Sequence, residues 1–416
     1  MKEVVLLGAG ASVEAGIKDA SNMTQQFAEL FARDLALRRQ SHALHYVIGG
    51  LMLQKGAKGE SPYDGINIED VFNAMNMLAA RELFEAAPFV MGWHPVVEEI
   101  HPVVKQDVSV TTQSVNSFAA RNIDDAIRQM IQNKFGHRSV GQEIREMIEN
   151  SLRHLSISVS QGGERSGGGQ VFRATCDTMI RKLISLVWLD DDKRDVVEYL
   201  RPLVRHAHRN NVSIATLNYD NTIELAAAAE GARVFEEMGE VLSSEEEVDQ
   251  AAKGYVHLLK LHGSIDWYSL PPGSNDGLPA TQIRRANREE MLKPRYMPAV
   301  IFGQRNKLTA EGPYLRLLSS FRDSLAEADS ITVIGYSFRD PHVNEFIATW
   351  FNAVPTRSIT VVTPDRRWAN QSDLPVEFLR CRTELESSRR RPVKRFPNCF
   401  LNGTVEPAIS MQSFNA

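Results

Sequence analysis

Six short apolar runs constrain what this chain can fold into more than any other feature. They are EVVLLG at 3–8, VSIATLN at 212–218, HLLKLHG at 257–263, AVIFG at 299–303, SITVIGY at 330–336 and SITVVTP at 358–364. Each is rich in branched apolar residues and bounded by turn-forming residues, which reads as a strand. They lack the regular apolar–polar alternation of a half-exposed strand, so they are expected to be buried on both faces. Helical patterns at 219–229, 313–328 and 341–352 separate several of them. This order predicts an α/β fold: a Rossmann-like, mainly parallel sheet with helices on both faces.

The first strand stands far from the others. From about 40 to 208 the spacing is mostly helical, as in Ile68, Val71, Phe72, Met75 and Leu78. Further helices are expected at 22–37, 123–131, 144–152, 171–189 and 193–208, with QGGERSGGG at 161–169 as a flexible loop. The expected organisation is discontinuous. Residues 1–30 plus 209–370 form one Rossmann-type domain, 31–208 a helical insertion domain, and 371–416 a C-terminal segment. A length of 416 residues suits two or three domains. The basic run Arg389-Arg390-Arg391, Lys394-Arg395 reads as a solvated tail, ahead of a patch for nucleic acid or an acidic partner surface.

Composition excludes several classes. With 47 Lys plus Arg against 52 Asp plus Glu, the net charge is −5. No overall basic field exists to hold nucleic acid, and direct nucleic-acid binding is not expected. Cys176, Cys381 and Cys399 lie far apart and form no C-x-x-C pair. Neither a disulfide framework nor a cysteine-rich zinc site is expected, nor any other metal, and a reducing cytoplasm is the expected location. No apolar run approaches the length of a membrane-spanning helix. The N-terminal run, bracketed by Glu3 and Glu14, is too short for a signal-peptide core.

Candidate chemistry sits at the ends of the strands. Gly8-Ala9-Gly10-Ala11-Ser12 follows a strand and is expected to open a helix, whose free amides and dipole suit a pyrophosphate. The third glycine of the dinucleotide fingerprint would fall at Val13, and Gly16 comes three residues late, so a plain structural turn also fits. Ser12 reads as a phosphate donor or a helix cap. Asn218 reads as a strand-end turn residue and Asp220 as a cap for the helix near Asn221. His262, before Gly263, has the chemistry of a base near neutral pH. His257 lacks the following glycine and reads as a core or surface residue. Asp340 either faces a site or caps the helix opened by Pro341. Asn67, Glu69 and Asp70 read as a helix start or as acids that the fold brings toward the cleft, and His206 and His208 as a solvated helix end. The Glu-rich stretch 236–249 reads as solvated.

Taken in order, GAGAS-x-x-AGI, TLNYDN, LHGSIDW and IGYSFRDPHVN resemble the sirtuin superfamily, over residues 1–20 and about 212–365. The resemblance implies NAD+ as substrate. It implies a cradle of Gly8, Ala9, Gly10, Ala11, Ser12, Gly16 and Ile17, with Gly335, Tyr336, Ser337 and Thr363, and more weakly Asp365, toward the adenosine. Asn218 would orient the nicotinamide ribose and an attacking water. Asp220 would hold the site together or bind the carboxamide, and His262 would act on a ribose hydroxyl.

Three departures separate the chain from protein deacylases. GIKDAS stands where they have GIPDFR, no cysteine quartet exists, and a long helical insertion intervenes. In this the chain is similar to a bacterial branch that includes anti-phage effectors, one subgroup of which works with a HerA-type hexameric ATPase. The function implied is NAD+ glycohydrolase, releasing nicotinamide and ADP-ribose, as an NAD-depleting defence effector controlled by a partner or by homo-oligomerisation. Protein deacylation, ADP-ribose transfer, and a non-catalytic nucleotide-sensing scaffold of an ATPase complex are the alternatives.

Overall fold

The computed structural model of the chain describes residues 2–61, 65–83, 97, 167–236, 255–270, 282–302, 313–354, 356–362 and 393–396. Its strands are β1 (Glu3–Leu7), β2 (Ser213–Thr216), β3 (Arg233–Glu236), β4 (Tyr255–Lys260), β5 (Gly263–Leu270), β6 (Gln282–Arg285), β7 (Pro298–Val300), β8 (Ser330–Ile334), β9 (Ser358–Val362) and β10 (Val393–Phe396). Its α-helices are α1 (Ala20–Arg33), α2 (Arg38–Ala57), α3 (Ile68–Ala79), α4 (Gly167–Val187), α5 (Arg201–Asn210), α6 (Thr222–Ala229), α7 (Arg288–Met291), α8 (Pro313–Glu327) and α9 (Pro341–Ala353).

Seven strands form one sheet in the order β10–β9–β8–β1–β2–β4–β3, and every pairing in it is parallel. The fold is α/β. β2, β4 and β3 lie on one side of β1, in that order outward, and β8, β9 and β10 on the other. The reversal between β1 and β8 is the switch point at which open α/β sheets take ligands, beyond the carboxyl ends of the strands.

Both faces of the central strands are buried, as their unbroken apolar character requires. Val4, Leu6, Ile331, Val333, Ile359 and Val361 point to one face, where Leu317, Phe321 and Leu325 of α8 and Val343, Ile347 and Phe351 of α9 cover them. Val5, Leu7, Ile214 and Leu258 are buried as well. Helix α5 packs against β4 and α6. It begins with Pro202 in its first turn and ends at Asn211 in the left-handed conformation.

Several expectations are corrected here. AVIFG at 299–303 contributes β7, which belongs to a separate antiparallel sheet, β6–β5–β7. HGSIDW does not merely end a strand. His262 sits in the turn, and Gly263 opens β5, whose buried Ile265 and Trp267 alternate with the more open Asp266 and Tyr268. That two-residue period is the sequence signal for β5. The pattern at 193–208 is split into a 3₁₀ segment, Asp191–Leu200, and α5. Gly167 to Gly169, read as part of a flexible loop, begin α4. Lys394 and Arg395, read as solvated tail, lie in edge strand β10 in register with Thr360 and Val361. The helices expected at 123–131 and 144–152, the loop residues 161–166, residues 237–249 and Arg389 to Arg391 lie outside the described residues.

The chain divides into two compact units. One comprises Met1–Phe27, Gly59–Asn73 and Asp177–Ala416, and contains the sheet. The other comprises Ala28–Lys58 and Ala74–Cys176. In the second unit the described core includes Phe31, Ala43, Leu44, Val47, Met75, Phe172 and Cys176, and the Tyr46 and Phe172 rings stand 6.3 Å apart. Among the described residues no helix is long and apolar enough to cross a membrane.

Candidate active site at the switch point

The glycine turn after β1 and the turn after β8 meet backbone to backbone. Gly8 N–H donates to the Ile334 carbonyl and Gly10 N–H to the Gly335 carbonyl, both at 2.9 Å. Gly335 has φ +63°, and a Cβ there would lie 2.3 Å from the Ala11 nitrogen. Only glycine satisfies both the torsion and the space.

Residues 9–12 form a single 3₁₀ turn, and the long helix α1 starts eight residues later, at Ala20. Here the structure departs from the expected glycine-to-helix junction. Gly10 spends its amide on Gly335 and Ala11 on the Gly8 carbonyl, 2.9 Å away. The amides of Ser21 and Asn22 are instead capped by Asp19 Oδ1. The macrodipole of a long helix is therefore not built at the glycine turn. Of the cradle residues, Ala9, Gly16 and Ser337 are exposed, Gly10 and Gly335 half-buried, and Gly8, Ala11, Ser12, Ile17 and Tyr336 buried. Thr363 and Asp365 lie outside the described residues.

The residues after β2 fasten to this turn. Asn218 Nδ2 donates to the Gly8 carbonyl and to Ser12 Oγ, each at 2.9 Å. The Gly8 carbonyl can only accept, which fixes which end of the amide faces it and leaves Oδ1 as the atom Asn218 offers elsewhere. Ser12 Oγ donates at 2.7 Å to Asp220 Oδ2. The hydroxyl proton of Ser12, 1% exposed, is thus committed to Asp220, not held out for a phosphate. Asp220 Oδ1 accepts from the Thr222 amide and hydroxyl, so this carboxylate caps α6 and ties down Ser12 at once.

His262 occupies the turn between β4 and β5. Its Nε2 lies 3.0 Å from Asp340 Oδ2. Asp340 Oδ1 accepts from the His342 and Val343 amides. One Asp340 oxygen thus caps α9 and the other meets the histidine. With Nε2–H given to Asp340, the basic nitrogen of a neutral His262 ring is Nδ1. Gly263 adopts φ +81°, and a Cβ there would meet the Ala299 carbonyl oxygen at 2.1 Å. This is why glycine follows the histidine. Tyr336 Oη accepts from the Asp340 amide and donates to Asn344 Oδ1, which braces the β8 turn against the start of α9.

Three further residues shape this site. Tyr219 lies between Asn218 and Asp220; its hydroxyl donates to the Ile301 carbonyl at 2.9 Å and its ring centroid is 6.4 Å from that of His262. Burial raises its pKa well above the usual phenol value, and the charges of Glu69 and Asp340 add to the effect. The charge of Glu69, in the first turn of α3, thus bears on Tyr219, while Asn67 Oδ1 caps α3 through the Glu69 amide. Tyr199, in the 3₁₀ segment, donates to the Ala11 carbonyl at 2.6 Å, and burial followed by the charges of Asp220 and Glu14 raises its pKa. Lys260 is buried beneath both loops. A lysine inside the apolar run HLLKLHG is a signal that sequence reasoning passed over, because a buried charge requires partners.

Other singled-out residues have structural roles. His206 Nε2 lies 2.9 Å from Glu3 Oε2, so the histidine read as solvated has a carboxylate companion. His208 is exposed. His257 meets Ser213 Oγ at 2.9 Å and stacks on Phe235. Among the described residues no group of three His, Cys, Asp or Glu side chains is placed to hold a metal ion.

A family model, the SIR2-like domain, matches residues 212–379. Over that stretch the chain is similar to the SIR2-like domain family. That stretch supplies the Asn218–Asp220 and His262 loops and the β8 turn, while the glycine turn lies outside it. No curated protein sequence matches the chain. Two solved structures resemble it at low similarity. One, on the structural basis for the mechanism and regulation of Sir2 enzymes, is 14% identical and covers 52% of this chain and 67% of that one, with a TM-score of 0.28. The other, a phenylalanine-to-alanine variant of a Sir2 homologue bound to ADP-ribose, is 13% identical and covers 53% and 80%, with a TM-score of 0.27. Those scores add nothing to the fold, which rests on the strand order itself.

Proposed function

We propose that this protein is an NAD+ glycohydrolase that cleaves the nicotinamide–ribose bond and releases nicotinamide and ADP-ribose. The observation that carries the reading is the hydrogen-bonded chain Asn218–Ser12–Asp220, which locks the glycine turn to the second strand end at the switch point of a SIR2-like sheet. A solved Sir2 homologue holds ADP-ribose, the product of such a cleavage.

NAD+ would lie across the β1 and β8 turns, with Ala9, Gly10, Gly16 and Ser337 as the solvent-facing part of the cradle. Cleaving the N-glycosidic bond builds positive charge on the ribose carbon, and water must then attack it. Asn218 has its Nδ2 held by Gly8 and Ser12, so its Oδ1 is oriented to accept from that water or from a ribose hydroxyl. His262, oriented by Asp340, would take a proton at Nδ1. Asp220 holds Ser12 and the start of α6 in place. No metal enters this reading. The same motif set supports a role as a cytoplasmic, NAD-depleting effector of anti-phage defence, governed by self-assembly or by a HerA-type ATPase.

The test is incubation of the purified chain with NAD+, alone and with that ATPase, followed by product analysis. Equal amounts of nicotinamide and ADP-ribose are expected without any acyl peptide. Asn218→Ala and His262→Ala should each slow release by about a thousandfold, roughly 4 kcal/mol of barrier. Equal turnover by wild type and variants would sink the assignment of the site. Release that requires an acyl-lysine peptide would favour deacylation. ADP-ribose binding without cleavage would favour a sensor.

A further inference from the structure

Lys260 ends β4 at 1% exposure. An ammonium at that depth is costly unless its protons are taken up. Its Nζ donates to the Asp220 carbonyl at 2.7 Å, to Ser264 Oγ at 2.8 Å and to the Glu224 carboxylate. The first acceptor is on the loop that carries Asn218. The second is on the loop that carries His262. The third is on α6, directly behind them. Ile265 N–H donates to the Tyr219 carbonyl at 3.1 Å, and Leu261 N–H to the Thr216 carbonyl at 2.9 Å, so both loops close around the ammonium. Beyond Glu224, the carboxylates of Glu236 and Asp266 bear on Lys260, and Arg285 pairs with both of them. Burial works against the charge of Lys260, but these carboxylates outweigh it and raise its pKa.

We infer that Lys260 is a positioning residue, whose ammonium sets the Asn218–Asp220 loop against the His262–Ser264 loop. It touches no reacting atom, and it works through the Asp220 carbonyl and the Ser264 hydroxyl. The kinetic consequence rests on the NAD-cleaving reading. The structural consequence does not.

The test uses the full chain with Lys260→Met, and with Lys260→Met combined with Glu224→Gln. The double variant removes the carboxylate that the single one leaves buried without its cation. Hydrogen–deuterium exchange needs no ligand. Peptides spanning 217–223 and 262–267 should exchange about tenfold faster, while β1 and β8 change by less than about twofold. NAD+ cleavage should lose about a hundredfold in kcat with KM within about threefold, the pattern of misplaced groups and not of lost binding. Unchanged exchange in both loops would overturn the inference. So would acceleration spread equally over β1 and β8, or a double variant that does not fold, since either makes Lys260 a support of the core. If wild type cleaves no NAD+, the functional reading falls and the exchange result alone decides on Lys260.

Discussion

Glu224 and Glu230 stand six residues apart, at the two ends of helix α6, and their environments drive them in opposite directions. Glu224, in the first turn, lies under the site against Lys260. Burial pushes its carboxyl up to about 7, with Lys260 pulling back and Glu236 and Asp266 adding to the rise. Glu230, just past the last turn, accepts from Arg205 Nε and Nη2, each at 3.0 Å, and from Arg201 Nε. Those bonds, the Arg205 one foremost, pull its carboxyl down to about 2. Two planar guanidinium forks in partial solvent favour the ionised carboxylate. A single ammonium in a dry pocket does so only partly. The difference is one of location. The end of α6 at the carboxyl edge of the sheet holds a costly charge beside the loops, and the opposite end carries an ordinary stabilising one. Costs of this kind gather at functional sites.

Three variants break or sharpen that contrast. The largest effect is expected from Gly335→Ala at the site end. It forces a side chain into a left-handed torsion against the Ala11 nitrogen, and urea denaturation should show a loss of about 3 kcal/mol or more.

The next is Glu224→Gln. The folded carboxyl of Glu224 titrates near 7 and the unfolded one near 4.5. Its protonated form therefore favours the fold, and that contribution is present below pH 4.5 and lost as pH rises toward 7. At 1.36 kcal/mol per unit the loss is at most about 3 kcal/mol. Denaturation at pH 5 and pH 7 should show about 2 kcal/mol of that fall in wild type and a flatter profile in Glu224→Gln. The same slope in both would remove Glu224 from the account.

The smallest is Glu230→Gln. Here the folded pKa is depressed, so the contribution is present above pH 4.5 and lost as pH falls toward 2. Because the arginines are partly exposed and screened, about 1 kcal/mol is expected, with NAD+ cleavage unchanged. A loss as large as that of Gly335→Ala would erase the distinction between the two ends of the helix.

The central strands of the parallel sheet were legible because they are mostly apolar and end in turn residues, whereas the edge strands β3 (RVFE) and β10 (VKRF) carry charges and were not. The antiparallel sheet was less legible: β6 is four residues long and β7 three, and β5 opens at Gly263, where the sequence read a strand end. At the site, motif residues were visible one by one. The partners of Lys260 and Tyr199 were not, because neither residue has a neighbour in sequence that reveals them. Lys260 meets Asp220 forty residues away, and Tyr199 meets Ala11 across 188.

By itself the sequence determined the layered α/β class, the burial of the central strands and the order of the strand-end motifs, since these follow from local periodicity and turn chemistry. Only the tertiary structure decided how those ends are joined. It put the β8 turn onto the glycines after β1, gave the Ser12 proton to Asp220, divided Asp340 between a helix cap and His262, and set one buried ammonium beneath two loops. Hydrogen bonds between distant segments are satisfied by where the sheet brings the strand ends, and that depends on strand order and register rather than on any local pattern.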